Sequence, residues 1–171
     1  MLVLRNTQKV SKALGIKPKD LMDTTNIGYL GDWFCNEIMV DRRRCLIFCH
    51  SLTLYSFFVP GITQKSFSVF TELFYTHLAK NLEYEGFAEV TITNLINKYK
   101  TSTLFSKTNS RSVLGTMNDY AYLFDGYEEP LGPARCDLLA VNQKVNTAPM
   151  KPLNYSSGIQ EMKRHLMRVA L

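Results

Sequence analysis

Residues 43–59, RRCLIFCHSLTLYSFFV, place the strongest constraint on the fold. Two runs rich in β-branched and aromatic residues flank a short turn around residues 50–53, and Pro60-Gly61 follows the second run. This pattern predicts an antiparallel β-hairpin. Residues 45–49 are all apolar, so both faces of the first strand are apolar. Such a strand has to be covered on both faces, which predicts helices or loops on each side of the sheet.

Elsewhere along the chain, apolar residues recur with helical spacing. The longest such segment covers residues 64–85, and Gly86 after it is a suitable C-cap. Further helices are predicted at residues 6–15, 31–40, 87–100, 109–125, 135–145 and 159–171. Short strands are predicted at residues 1–5 and 101–108, and residues 146–158 are expected to run extended over the surface.

Length and composition fit one domain. The chain has 171 residues, of which 46% are hydrophobic and 20% charged. A chain of this size buries about two-thirds of its unfolded surface in one core. We therefore predict an α+β fold, a single compact domain over residues 1–171 whose small, mainly antiparallel sheet contains a β-hairpin and is packed by several helices. Residues 129–171 are expected to form an extended C-terminal segment that ends in a helix.

The sequence gives no sign of export or membrane insertion. Its longest apolar runs are far shorter than the roughly 20 residues that span a bilayer. The first residues, MLVLRNTQK, lack the small-residue cleavage site of a secretory signal. We expect a cytoplasmic protein with no membrane partner, whose cysteines are reduced thiols.

Charge and motifs narrow the possible partners and cofactors. The formal net charge of +5 favours anionic partners weakly, and without a block of five basic residues nucleic acid is possible as a partner but not favoured. The phosphate-loop, dinucleotide-binding, G-x-S-x-G and H-E-x-x-H motifs are missing. Cys45 and Cys49 would lie about 13 Å apart on one strand face, too far for one tetrahedral zinc ion. We predict no cofactor and no metal.

The segment KTNSRSVLGTMNDYAYLF, residues 107–124, is the best candidate for a binding site. Asn109 or Ser110 can cap a helix with one apolar face. The opposite face collects polar residues at helical spacing, and with the preceding lysine the candidates are Lys107, Asn109, Arg111, Ser112, Asn118 and Asp119. Lys107 and Arg111 would face an anion and Asp119 would orient a donor. The alternative is a solvated helix face.

The segment TQK, residues 7–9, follows a predicted strand at the start of a helix, where backbone N–H groups can bind an anion. It lacks the glycines of a phosphate loop. The alternative interpretation is an ordinary capped helix.

Three motifs together resemble a family of small bacterial proteins known only as a domain of unknown function. They are MLVLR-x-TQK at the start, GDW at residues 31–33 and TN-x-RSVLG-x-MND from residue 108. The resemblance implies one compact α+β domain and a bacterial setting that is often associated with mobile DNA. It carries no established activity. It does suggest grouping the motif positions Thr7, Gln8, Lys9, Asp32, Trp33, Asn109, Arg111, Ser112, Asn118 and Asp119.

Our leading hypothesis is a non-enzymatic binding or interaction module for an unknown protein or anionic ligand, with the link to mobile DNA that the resemblance implies. One alternative is an enzyme that acts on a phosphate-containing substrate or nucleic acid, with Asp119 or Asp32 as acid or base and Lys107 or Arg111 stabilising charge. Another is a structural homo-oligomer that associates through the aromatic helix at residues 67–82.

Overall fold

The computed structural model describes residues 1–22, 28, 30–40, 42–128 and 137–169. The strands are β1 (Leu2–Asn6), β2 (Trp33–Val40), β3 (Arg43–His50), β4 (Ser56–Pro60) and β5 (Thr103–Lys107). The helices are α1 (Gln8–Ala13), α2 (Phe70–Tyr84), α3 (Glu89–Lys100), α4 (Arg111–Glu128), α5 (Leu138–Thr147) and α6 (Gly158–Arg168). Short 3-10 helices form at Pro18–Asp20, Gln64–Val69 and Lys151–Leu153.

The strands within the described residues form one five-stranded sheet in the order β4-β3-β2-β1-β5. β1 pairs in parallel with β2 and β5, whereas β2, β3 and β4 form an antiparallel meander. The α+β class and the predicted hairpin are confirmed, but the prediction of a mainly antiparallel sheet is wrong because the sheet is mixed. In its second parallel pairing, of β1 with β5, Leu2 lies opposite Thr103. Local sequence patterns do not reveal a pairing between residues so far apart in the chain.

Strand β2 corrects the helix that we predicted for residues 31–40. Trp33 and Cys35 pack on one face of the sheet and Phe34 packs on the other, and all three are buried. An inner strand that is covered on both faces loses the apolar–polar alternation that identifies a strand. The remaining apolar spacing then resembles a helix, which is the physical reason for the error.

Each face of the sheet is covered by a separate set of helices. The face that we name the α2 face is packed by α1, α2, α3 and α6, and its core includes Phe48, Phe57 and Phe74. The α4 face is packed by α4 and α5, with Phe58 stacked on Phe124 at a ring-centroid distance of 4.1 Å. This arrangement confirms the expectation that both faces of the hairpin strands are covered.

Two asparagines of α5 satisfy the backbone of the edge strand β4. Asn146 accepts a hydrogen bond from the Ser56 N–H at 2.8 Å and donates to the Ser56 carbonyl at 2.7 Å. Asn142 accepts from the Phe58 N–H at 3.1 Å and donates to Asn81 of α2 at 2.8 Å. These side chains occupy the N–H groups of Ser56 and Phe58 and the Ser56 carbonyl, so they protect the edge of the sheet against pairing with another strand.

A buried hydrogen-bond network holds the chain just before β2. The Leu30 carbonyl accepts hydrogen bonds from His50 Nε2 at 2.8 Å and His165 Nε2 at 3.1 Å. Gly31 has a φ of +82°, and a Cβ at this position would lie 2.3 Å from His50 Nε2, so glycine is required here. Burial lowers the pKa of His50 to about 3. The nearby His165 also lowers this pKa, whereas the hydrogen bond to the Leu30 carbonyl raises it. His50 is therefore neutral near pH 7.

We expect Asn146→Ala to destabilise the protein by roughly 3 kcal/mol, because it leaves the buried N–H and carbonyl of Ser56 unpaired. Urea unfolding curves measure the change. Asn97→Ala is the matched control, since Asn97 is exposed within α3 and alanine favours a helix. Equal stability of the two variants would contradict the role assigned to Asn146.

We expect the free energy of unfolding to fall by about 2 kcal/mol between pH 6.5 and pH 5, because unfolded His50 binds a proton in this range and folded His50 does not. The pKa of His165 is also lowered by burial and contributes in the same direction. Urea unfolding at a series of pH values measures the slope. His50→Gln should lower stability at pH 7 but flatten the dependence; a wild-type curve that is already flat would contradict the assignment.

Candidate functional site

The carboxyl ends of β1 and β5 lie side by side, because Asn6 pairs in register with Lys107. Helix α1 follows β1 and packs on the α2 face through Val10. Helix α4 follows β5 and packs on the α4 face through Met117. After these two adjacent parallel strands, the chain therefore turns to opposite faces of the sheet. In open α/β sheets, such a switch point forms a crevice at the carboxyl ends of the strands, and ligands bind there.

A crevice of about 750 Å³ lies at this point. This volume is within the range of about 300–1,000 Å³ that small-molecule sites occupy. Gly15 has a φ of +71°, and the left-handed turn ends α1 and directs the chain to the other wall of the crevice. The described residues that line it are Asn6, Gln8, Ser11, Lys12, Gly15, Ile16, Lys17, Pro18, Leu21, Lys107 and Thr108. We name it the strand-end crevice.

Two buried polar side chains of the strand-end crevice have unused hydrogen-bonding groups. Asn6 is 2% exposed, and within the described part of the chain neither its side-chain oxygen nor its nitrogen has a partner. Ser11 is 5% exposed, and its hydroxyl also has no hydrogen-bond partner within the described part of the chain. Buried polar groups in proteins are nearly always hydrogen-bonded, so unsatisfied groups need an explanation. Both residues line one crevice, which makes an external partner a direct explanation.

Three lysines make the strand-end crevice basic. Lys12, Lys17 and Lys107 are exposed residues of its lining, and none forms an ion pair with a carboxylate among the described residues. No aspartate or glutamate is part of the lining that the structure describes. The ammonium groups therefore generate a positive potential that attracts an anion.

A buried ion pair fixes the strand ends beside the crevice. Arg5 Nε donates to Asp32 Oδ2 at 2.6 Å, and the two side chains are 2% and 0% exposed. The Arg5 guanidinium also donates to the Ser106 hydroxyl and the Lys107 carbonyl, each at 3.2 Å. Asp32 accepts from the Gly28 N–H at 3.2 Å. These bonds connect β1, β5 and the chain that leads into β2.

Asp32 and Trp33, both candidates from the GDW motif, lie inside the fold. Asp32 is completely buried in its pair with Arg5. Trp33 is also completely buried, and its indole N–H donates to the Tyr99 hydroxyl at 2.9 Å. Neither side chain lines the strand-end crevice. Their contacts are those of residues that stabilise the fold.

The TQK candidates divide between the strand-end crevice and the neighbouring surface. Gln8 lines the crevice. Thr7 donates from its hydroxyl to Asn36 at 3.0 Å, and Lys9 pairs with the buried carboxylate of Glu37 at 3.1 Å. The pKa of Glu37 is lowered mainly by its hydrogen bond with Arg44, against the opposing effect of burial. Thr7 and Lys9 therefore connect α1 to β2.

The candidates on α4 and its leading turn form an exposed surface. Ser110 rather than Asn109 caps the helix, since its hydroxyl accepts from the Val113 N–H at 3.3 Å. The residues at positions 109, 111, 112, 118 and 119 are all exposed and do not line the crevice: Asn109, Arg111, Ser112, Asn118 and Asp119. Lys107, just before the helix, does line it. The structure therefore brings Gln8 and Lys107 together and leaves the α4 candidates apart.

Sequence reasoning missed most of the crevice, above all Asn6 and Ser11. The available signal was the sequence RN at the end of the apolar run LVL, where polar residues enter a strand that is otherwise buried. Its meaning depends on the parallel pairing of residues 2–6 with residues 103–107. That pairing is not visible in the local sequence.

Other candidate sites from the sequence can also be located. Cys45 and Cys49 both pack on the α4 face, as predicted, and burial raises the pKa of Cys49 to about 12. Phe70 and Phe74 of the aromatic helix are buried against the sheet. Across the described ranges there is no cluster of three or more potential metal ligands. None of the helices in these ranges is both long and apolar enough to cross a membrane.

Comparison with known proteins gives a family but no activity. A search of curated proteins found no match. A family model matches residues 3–161 of the chain, which includes β5, all of β1 except Leu2, and every described residue of the strand-end crevice. The match confirms the resemblance to an uncharacterised domain. The chain belongs to the family described as Domain of unknown function (DUF6933).

Proposed function

We propose that this protein is a non-enzymatic binding module that holds a small anionic ligand in the strand-end crevice. The observation that carries the proposal is the pair of buried, unsatisfied side chains of Asn6 and Ser11, which line the same crevice. Each unsatisfied buried group costs about 1–3 kcal/mol. A ligand that bonds to these groups recovers that free energy in the bound state.

The charge of the crevice supports an anion. Lys12 on α1, Lys17 before the 3-10 helix and Lys107 at the end of β5 approach the lining from three segments of the chain. A carboxylate or phosphate that bridges them would form charge-assisted hydrogen bonds, which are about twice as strong as neutral ones. The net charge of +5 for the whole chain adds attraction at longer range.

The chemistry of the lining supports binding. Among the described residues it supplies ammonium, carboxamide and hydroxyl groups, together with the apolar side chains of Ile16 and Leu21. A few placed polar groups in an otherwise apolar concavity are typical of small-molecule sites. Asp32, one of the two candidate acids or bases of the enzymatic alternative, is completely buried against Arg5 and cannot reach a substrate in the crevice. Asp119, the other candidate, is exposed on α4 and does not line the crevice.

The rigid surroundings of the crevice support a preformed site. Asn6 belongs to a strand paired on both sides, and the adjacent Arg5 bonds to β5 and to Asp32. A ligand would therefore meet groups that already have fixed positions. This reduces the conformational entropy lost on binding.

We expect inorganic pyrophosphate to shift the backbone amide NMR signals of Asn6, Ser11 and Thr108 in a saturable way. Lys107→Gln and Lys12→Gln should each weaken this binding about tenfold, because each removes one charge-assisted contact. Raising the salt concentration should weaken it further.

Lys151→Gln is the matched control, since Lys151 is an exposed lysine outside the crevice. It should leave the affinity for pyrophosphate unchanged. Shifts confined to α4, or equal weakening by Lys151→Gln and Lys107→Gln, would refute a specific anion site in the crevice.

A further inference from the structure

We propose that the ligand of the strand-end crevice is a nucleoside monophosphate unit, whose base bonds to Asn6 and whose phosphate is held by the lysines. This inference rests on the proposed anion-binding function and adds the chemical class of the ligand. It depends on the type of hydrogen bond that each unsatisfied group requires.

Asn6 requires a ligand edge with a donor and an acceptor next to each other. Its side-chain oxygen and nitrogen are both buried and unpaired within the described part of the chain. A phosphate or carboxylate alone accepts hydrogen bonds, so it would satisfy the nitrogen and leave the oxygen unpaired. The ligand must therefore carry a donor group beside an acceptor.

Nucleobases have such an edge. Each base presents a ring nitrogen or carbonyl acceptor beside an N–H donor, and asparagine forms two hydrogen bonds with adenine in this way. The N–H and C=O of one residue in an extended peptide also form such an edge, as Ser56 does with Asn146. What favours a nucleobase is that it joins this edge to a planar apolar ring, which the crevice can accommodate. A phosphorylated peptide is therefore the competing ligand in the test.

The rest of the lining accommodates the other parts of a nucleotide. Ile16, Pro18 and Leu21 provide an apolar wall against which a planar ring can pack. The unpaired hydroxyl of Ser11 can donate to or accept from a base or ribose group. Lys107 lies beside Asn6 on the neighbouring strand and on the same sheet face, since the two residues are in register. A phosphate attached to the base through ribose would reach the lysines at the crevice rim.

This mode of binding does not use a glycine-rich phosphate loop. Phosphate is held by lysine side chains from separate segments, and the base is read at the end of β1. The chain can therefore bind a nucleotide although it lacks the G-x-x-x-x-G-K-[ST] and G-x-G-x-x-G motifs. A nucleotide at this position could be free or could be the 5′-phosphorylated end of a nucleic acid strand.

Isothermal titration calorimetry with a matched set of compounds tests the proposal. The set consists of the common nucleoside 5′-monophosphates, ribose 5-phosphate, pyrophosphate, a short 5′-phosphorylated oligonucleotide and a short phosphorylated peptide. We expect at least one monophosphate to bind at least tenfold more tightly than ribose 5-phosphate. Tighter binding of the oligonucleotide than of any free monophosphate would identify a strand end as the source of the unit.

Asn6→Leu tests the contact with the base, because leucine has nearly the same shape and no polar groups. We expect it to reduce the affinity for the monophosphate to that for ribose 5-phosphate. It should also keep or raise the Tm, since two unsatisfied polar groups are removed. Ser11→Ala is a second, smaller change. We expect it also to keep or raise the Tm, and to reduce the affinity for the nucleotide several-fold.

The possible failures are distinguishable. If pyrophosphate and ribose 5-phosphate bind in the crevice as tightly as every monophosphate, the nucleotide assignment is wrong and the anion site stands. If a phosphorylated peptide binds more tightly than any nucleotide, the nucleotide assignment is also overturned. If none of the phosphate-containing compounds binds, both proposals fail.

Discussion

The buried ion pair between Arg5 and Asp32 is the interaction on which the arrangement of the strand ends depends. It joins the end of β1 to the chain entering β2, and the same guanidinium bonds to β5 through Ser106 and Lys107. Removing one partner of such a pair leaves a buried charge uncompensated, at a cost of about 3–5 kcal/mol. The ends of β1 and β5 are therefore fixed beside the start of β2, and the crevice between α1 and the end of β5 takes its shape from these strand ends.

Local sequence patterns predicted the elements of this fold better than their assembly. The hairpin followed from two β-rich runs separated by a turn, and α3 and α6 followed from helical periodicity. The segment that became β2 was misread because strands on both sides and helices on both faces remove its alternation. The parallel pairing of β1 with β5 could not be predicted, since the strands β2, β3 and β4 and the helices α1, α2 and α3 lie between them in the chain.

The candidate site was predictable to a smaller extent. Gln8 was identified because TQK follows a predicted strand, and Lys107 because it lies just before a predicted helix; both line the crevice. The exposed candidates on α4 are also polar and charged residues, but the helix places them away from the strand ends. Asn6 and Ser11 stand out only through their burial and lack of partners, which are properties of the assembled fold. Residue type and spacing alone did not separate these cases.

The contrast among the buried asparagines bears directly on the proposed ligand. Asn142 and Asn146 use both side-chain groups: three bonds go to the backbone of the edge strand β4, and Asn142 also donates to Asn81 of α2. Asn6 is buried to a similar degree and uses neither group within the described chain. The fold provides hydrogen-bond partners for the side chains of Asn142 and Asn146 but not for that of Asn6 beside the basic crevice, and this lowers stability locally. A local loss of stability is characteristic of functional sites, where polar groups are positioned to bind a partner from outside the fold.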